Sequence, residues 1–225
     1  MTSIVALFDL DGTLSSGHIW EGIVRYYFTH KKKRAWILAF WATHSALWLL
    51  SECKLYSREK CWLKWMEDLG GIFKGASKEE GLEVFHWVAD NYIFKSLRSD
   101  VVDILQQHKQ SGHIVVIISA TFSELLEVIK QKLGVSNVIG TKLEATNDRY
   151  TGKIIPPLCF GENKAKLLKE FIDQNGLEID SSASFAYADS IFDVPLLKLV
   201  GNPVATYPGR HLRRLAEHNG WRILP

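Results

Sequence analysis

The segment Phe8–Leu14 reads FDLDGTL and sets two aspartates, Asp9 and Asp11, two residues apart just ahead of Gly12. The mostly apolar run Ser3–Phe8 precedes them, as suits a buried parallel strand. In an open parallel sheet, ligands bind beyond the carboxyl ends of the strands, so both carboxylates are expected at the edge of a site. One of the pair can attack or hold a metal while the other handles a proton. A turn that uses Asp and Gly only for backbone reasons would look the same, and the other strand ends decide against it.

A second apolar run, His113–Ser119 (HIVVIIS), ends on Ser119, followed by Ala120-Thr121 and a helical pattern. A hydroxyl with backbone N–H groups at a helix N-terminus is a phosphate seat, although Ser and Thr also serve as plain caps. A third run, Ser184–Ala188 (SFAYA), leads to Asp189, with Asp193 four residues on. More acids at one sheet edge are costly unless a cation neutralises them. With oxygen ligands and no His/Cys cluster, that cation is expected to be Mg²⁺. Lys164 opens another helical pattern, where a cation opposes the helix dipole and so points to a purpose other than stability.

The elements that must position these residues follow from the pattern between them. Pro203–Thr206 is a fourth short strand-like run, and Val101–Ser111, Phe122–Leu133, Lys164–Asn175, Leu196–Leu199 and Arg210–Asn219 read as helices. Strands alternating with helices predict an α/β fold, a parallel sheet wrapped by helices. Leu143–Ile154 breaks the rhythm, and Asn147-Asp148 at its centre predicts a β-hairpin. Residues 16–97 lack strand-like runs and hold seven of the eight tryptophans. They read as a helical insertion after the first strand, giving a core of residues 1–15 and 98–225 and a cap of residues 16–97.

Asp-x-Asp-Gly-Thr, a strand-end Ser, a later Lys and Asp-x-x-x-Asp, in that order, resemble the haloacid dehalogenase superfamily of phosphohydrolases, over nearly the whole chain. The detail is closest to the phosphoserine-phosphatase-like branch, through the helical insertion, SATF, and TKLEATNDRYTGKIIPPLCFGENKAKLL leading into YADSIFDVPLL. The resemblance implies a Rossmann-like core with an inserted helical cap. It implies an aspartyl-phosphate mechanism, with Asp9 as nucleophile and Asp11 as general acid and base. Ser119, with the amides of Ala120 and Thr121, would hold the phosphoryl oxygens, and Lys164 would neutralise charge. Mg²⁺ would be held by Asp9, the Asp11 carbonyl and Asp189, with Asp193 supporting. The acid at Asp11 is absent from dehalogenases and P-type ATPases, so phosphatase chemistry is expected on a small phosphorylated metabolite, either phosphoserine-like or a phospho-alcohol such as a phospholipid headgroup. A phosphomutase or phosphotransferase of the same superfamily is the neighbouring alternative. A binding protein that keeps the core as a scaffold is the alternative from another class.

Two departures bear on substrate choice. In phosphoserine phosphatases a glutamate nine residues after the nucleophile contacts the serine end. Here His18 stands there, with Glu21 nearby, and both are candidate substrate contacts. The residue before the last motif aspartate, usually Asn, is Phe192. Either way the phosphatase chemistry is untouched.

KKKRAWILAFWATHSALWLL, residues 31–50, is four cations followed by a nearly continuous apolar stretch. Ala35–Leu50 makes a helix of ~24 Å, shorter than the about twenty residues a span needs, and Thr43, His44 and Ser45 sit at its centre. Three fates are expected for it: packing inside the cap against Leu55, Trp62, Trp65, Phe85 and Trp87; a homodimer surface or pocket wall; or peripheral contact with anionic lipid through Lys31–Arg34. A formal charge of +2 with no basic stripe excludes nucleic acid as the expected partner. Cys53, Cys61 and Cys159 form no C-x-x-C pair, which suits a reducing cytoplasm, and MTSIVALFDLDG lacks the cationic start of a signal peptide.

Overall fold

A computed structural model describes residues 2–225. Among the described residues, seven strands form one sheet in the order β4-β3-β2-β1-β5-β6-β7. They are β1 (Val5–Phe8), β2 (Ile114–Phe122), β3 (Asn137–Thr146), β4 (Arg149–Ile155), β5 (Phe185–Ala188), β6 (Asn202–Thr206) and β7 (Arg222–Leu224). All neighbours pair in parallel except β3 and β4. β1 lies at the centre because its four residues VALF are fully apolar and buried on both faces. Ala6 and Phe8 face one apolar layer with Ile117 and Tyr187, while Val5 and Leu7 face the other with Val116, Ile118 and Ala186.

Between β1 and β2 the chain is helical: α1 (Ile19–Thr29), α2 (Arg34–Glu52), α3 (Arg58–Leu69) and α4 (Lys78–Val88), with a 3₁₀ turn at Gly70–Phe73 and a π turn at Ala89–Ile93. This is the inserted helical cap. Ser77 and Glu80 form a reciprocal capping box at the start of α4. The core helices are α5 (Ser99–Gln110), α6 (Ser123–Leu133), α7 (Glu162–Gln174), the single turn α8 (Val194–Leu197) and α9 (Arg210–Asn219). Phe73 joins cap to core, its ring 5.7 Å from Phe122 and 5.9 Å from Tyr150.

The hairpin forms where the sequence places it, with Asn147 and Asp148 at φ 50° and 62°, the mark of a type I′ turn. Two features exceed the sequence reading. β7 is added at one edge, and β3 begins at Asn137, so its first half pairs with β2 before its second half turns into the hairpin.

One expectation is corrected. β2 runs on to Phe122 through a register shift, and α6 starts only at Ser123. The sequence reading ends this strand at Ser119, whereas Ala120 and Thr121 continue its irregular end ahead of the helix. The β-branched and aromatic residues Thr121 and Phe122 favour extended backbone there.

The apolar helix is also placed differently from its all-round apolar sequence. In α2 a single stripe, Ile37, Phe40, His44 and Ser51, is buried. Trp62 and Trp65 of α3 meet this helix. Leu55 is instead 77% exposed, Phe85 packs on Phe73, and Trp87 packs on Tyr26 and His30. A helix has only as many buried faces as it has neighbours, and α2 has neighbours on one side. No helix is long and apolar enough to cross a membrane among the described residues.

Candidate active site

Three strand ends and the start of α7 converge at the carboxyl edge of the sheet. Asp9 follows β1, and its backbone N–H donates to the Tyr187 carbonyl of β5 at 3.0 Å. Lys164 is the third residue of α7, and its Nζ reaches Asp9 Oδ1 at 2.7 Å and Asp193 Oδ1 at 2.6 Å. Asp9, Ser119 and Lys164 are 5%, 1% and 3% exposed. Asp9, Asp189 and Asp193 each bring an oxygen within 4.8 Å of the others. The fold has thus assembled three acids against one buried lysine.

Gly12 explains how the first turn comes so close. Its φ is +83°, and a Cβ there would collide with the Asp189 carboxylate. Any side chain would both strain the turn and push that carboxylate out of the cluster. Thr13 donates its hydroxyl to Asp189 Oδ1 at 3.4 Å. The sequence reading gives Thr13 no role; its hydroxyl two residues past Asp11 is the signal that was there to use.

Asp11 points away from the lysine. Its Oδ1 accepts the Ile19 backbone N–H at 3.1 Å, and its Oδ2 accepts the Thr121 hydroxyl at 3.4 Å. The start of α1 and the end of β2 therefore hold this carboxyl between them. The Thr121 N–H donates to Ser119 Oγ at 3.3 Å, which fixes the Ser119 side chain at the end of β2. His18 precedes α1, half-buried, and its side chain makes no cap hydrogen bond. Glu21 accepts a hydrogen bond from the hydroxyl of Tyr92, a residue to which the sequence reading gives no role. Gly17 leaves room for that hydroxyl, which a Cβ would strike.

Burial raises the Asp9 carboxyl to about 6, with Lys164 pulling it back and Asp193 adding to the rise. Burial, then the Asp9 charge, raises Asp11 to about 8. Burial, then Asp9 and Asp193, raises Asp189 to about 8. Burial works against the charged form of Lys164, but Asp193 and Asp9 outweigh it and hold its ammonium above the ordinary range. Burial pushes the adjacent Cys159 thiol up to about 12, so it stays protonated and takes no part.

The cluster fits a hard divalent cation. Asp189 has no cationic partner among the described ion pairs, its donors are all oxygen, and the Asp9 and Asp193 charges add to the burial that raises its pKa. A stability prediction follows. Three carboxyls are raised above their ordinary 3.8 in the folded state, so between about pH 4 and pH 8 the folded protein binds more protons than the unfolded chain. Stability must then fall as pH rises through that window. Thermal unfolding in EDTA is expected to show this fall, and excess Mg²⁺ should flatten it by binding only the folded state. A melting temperature that rises across the same window without metal would contradict the arrangement.

Two buried acids and a half-buried one, one lysine and a fourth acid on a separate hydrogen-bond frame, all at the edge of a parallel sheet beneath a helical cap, define an enzyme site of the hydrolase class. The family model of haloacid dehalogenase-like hydrolases matches residues 6–198, and the chain belongs to that family. Phosphoserine phosphatase SerB1 of Mycobacterium tuberculosis (strain H37Rv) is 31% identical over 97% of this chain and 69% of its own length. A histidinol-phosphatase of Neisseria meningitidis serogroup C is 33% identical over 66% of this chain and 68% of its own. A protein of unknown function from Bordetella pertussis superposes with a TM-score of 0.84 at 26% identity, over 100% of this chain and 99% of that one.

Proposed function

We propose that this hydrolase cleaves small phosphate monoesters through an aspartyl-phosphate on Asp9, with Mg²⁺ as cofactor. The observation that carries the reading is the different setting of its two neighbouring aspartates: Asp9 accepts from Lys164 Nζ at 2.7 Å, while Asp11 accepts from the Ile19 N–H and the Thr121 hydroxyl. At neutral pH Asp9, near 6, is ionised, while Asp11, near 8, keeps its proton. Two acids whose environments push their pKa values apart are suited to opposite roles.

A carboxylate oxygen of Asp9 attacks phosphorus, and the bond from phosphorus to the alcohol oxygen breaks. Asp11 gives its proton to that oxygen as the bonding pair collapses onto it. Asp11, now a carboxylate, takes a proton from water, whose oxygen attacks phosphorus. The Asp9–phosphorus bond then breaks and inorganic phosphate leaves. Ser119 and the amides of Ala120 and Thr121 are placed to hold the phosphoryl oxygens, and Lys164 neutralises charge on Asp9 and the phosphoryl group. The Asp9 and Asp189 side chains and the Asp11 carbonyl would hold Mg²⁺, with Asp193 supporting through its contact with Lys164. Bound there, the ion would supply positive charge that favours the ionised form of Asp189 and offsets the negative charge of the phosphoryl oxygens. Cap helices α1–α4, within residues 16–97, would open to admit substrate and close to exclude water.

Relatives named for phosphoserine and for histidinol phosphate support a small phosphorylated alcohol as the substrate class. The test is hydrolysis of p-nitrophenyl phosphate with Mg²⁺ or EDTA, in the wild type and in Asp11→Asn. Asp11→Asn is expected to lower kcat about 10²–10⁴-fold and to let phosphorylated protein accumulate, because dephosphorylation loses its base. Activity indifferent to EDTA, or wild-type turnover in Asp11→Asn, would refute the reading.

A further inference from the structure

Between α1, α2 and α3 lies a pocket of about 320 Å³ lined by Trp20, Trp41, Trp48, Trp62 and Trp65, with Ser45 and Cys61 between them. Among the described residues, no charged side chain lines it. The rings meet edge to face, Trp20 with Trp41 at 5.4 Å, Trp41 with Trp65 at 5.5 Å and Trp48 with Trp62 at 6.0 Å. Edge-to-face contact fixes the rings without stacking them shut. No catalytic side chain lines the pocket, but two of its walls run on toward the catalytic loops. Trp20 directly follows Ile19, whose N–H holds Asp11. Trp48 and Trp62 also wall an outer cleft whose other side is Ile191 and Phe192, the residues between Asp189 and Asp193.

We infer that this pocket receives the alcohol end of the phosphate monoester, and that this end is a bulky uncharged apolar or aromatic group. The inference rests on the phosphatase reading above. An amino-acid head would need ionic partners, and the pocket offers none. Glu21, the nearby acid of α1, is already engaged by Tyr92. A quaternary ammonium would gain from cation–π contact with the rings, but Arg58 and Arg214 line the outer cleft and repel a cation on its way in. An apolar group gains from burial with no such opposition.

The test compares kcat/KM for 1-naphthyl phosphate, phosphocholine and phosphoserine in the wild type, Trp41→Ala and Trp62→Leu. Naphthyl phosphate is expected to lead, and its ratio to phosphoserine should fall about tenfold or more in both variants. Calorimetric titration of 1-naphthol into the inactive Asp9→Asn protein reads the pocket without turnover, and adding Trp41→Ala should abolish the binding. A wild type that prefers phosphoserine or phosphocholine, an unchanged ratio in both variants, or no naphthol binding would overturn the assignment. Naphthol binding in a protein that hydrolyses no phosphate ester would keep the pocket and sink the phosphatase reading.

The solvent-exposed face of α2 carries a second, independent inference. No Asp, Glu, Lys or Arg occurs from Ala35 to Ser51, yet Leu38 and Leu49 on that face are 66% and 65% exposed. Lys31, Lys32, Lys33 and Arg34 are exposed at its start and are absent from the ion pairs of the described residues. Residues 31–60 hold seven lysines and arginines against two glutamates, although the whole chain carries only +2. The rest of the chain is therefore net negative. We propose that this face docks on an anionic bilayer. A second copy would set the same cationic rim against itself, whereas anionic lipid complements it and accepts the leucines. Vesicles containing phosphatidylglycerol should pellet the full chain about tenfold better than pure phosphatidylcholine. The exposed-site variants Leu38→Asp with Leu49→Asp, and neutralisation of residues 31–34 to Gln, should each remove that difference. Equal pelleting by both lipids, pelleting unchanged in the variants, or a solution dimer dissociated by Leu38→Asp would overturn it.

Discussion

Asp9→Asn is expected to leave a folded protein with turnover reduced by about 10³-fold or more, as for loss of a covalent nucleophile that its neighbours cannot replace. The substitution keeps the shape of the side chain and removes one of the buried negative charges around Lys164. The amide oxygen can still accept from Lys164 Nζ, so the 2.7 Å contact of the wild type has a substitute. What is lost is the anionic oxygen that forms the bond to phosphorus. Because one repelling charge is gone, the Asp9→Asn protein should melt no lower than wild type in EDTA above pH 7, where Asp9, raised to about 6, is ionised. The paired measurement is steady-state hydrolysis of p-nitrophenyl phosphate and a melting curve. Turnover near that of the wild type would remove Asp9 from the nucleophile's place. Loss of both turnover and fold would reassign it to structure.

Lys164→Met should have the largest effect on stability. Its ammonium, 3% exposed, is the single cation contacting both Asp9 and Asp193 among the described residues. Methionine fills a similar volume but leaves the carboxylates buried without compensation. Breaking a buried pair from one side costs about 3–5 kcal/mol. For a domain of this size that is a fall in melting temperature on the order of 10 °C. The pH dependence separates this cause from simple packing loss. The variant's deficit should be largest near pH 8 and shrink toward pH 5, where the carboxyls take up protons and no longer need the cation. Excess Mg²⁺ should narrow it as well. A deficit of equal size at both pH values would show that Lys164 acts through its methylenes alone. Activity should fall with stability, because both the phosphoryl group and Asp9 lose their neutralising partner.

Much of the site was legible before any fold was known. Asp9, Asp11, Ser119, Lys164, Asp189 and Asp193 stand at the ends of apolar runs or the start of a helix. A parallel sheet gathers such ends at one edge, so their meeting follows from the alternation of strands and helices. The hairpin was legible for a similar local reason, because Asn147-Asp148 tolerates the left-handed backbone a tight turn requires. The role of Gly12 was half-visible: a turn was expected, but not the approach of Asp189 that makes a side chain intolerable.

What stayed hidden depends on contacts between segments distant in the chain. Thr13 meets Asp189 across 176 residues, and Tyr92 meets Glu21 across 71. No local spacing encodes such pairs. The extension of β2 through Thr121 to Phe122 was hidden too, because a strand end is set by its neighbour β3 as much as by its own residues. Residue type and local periodicity set the order of the elements and place the acids and the lysine at their ends, while the roles expected of those groups came from the resemblance to a known family. Folding then settles which carboxyl keeps its proton and which face of KKKRAWILAFWATHSALWLL is covered. Protonation is fixed by burial and by the charges that folding brings near, and coverage by which helices pack alongside. Neither quantity exists until distant parts of the chain have met.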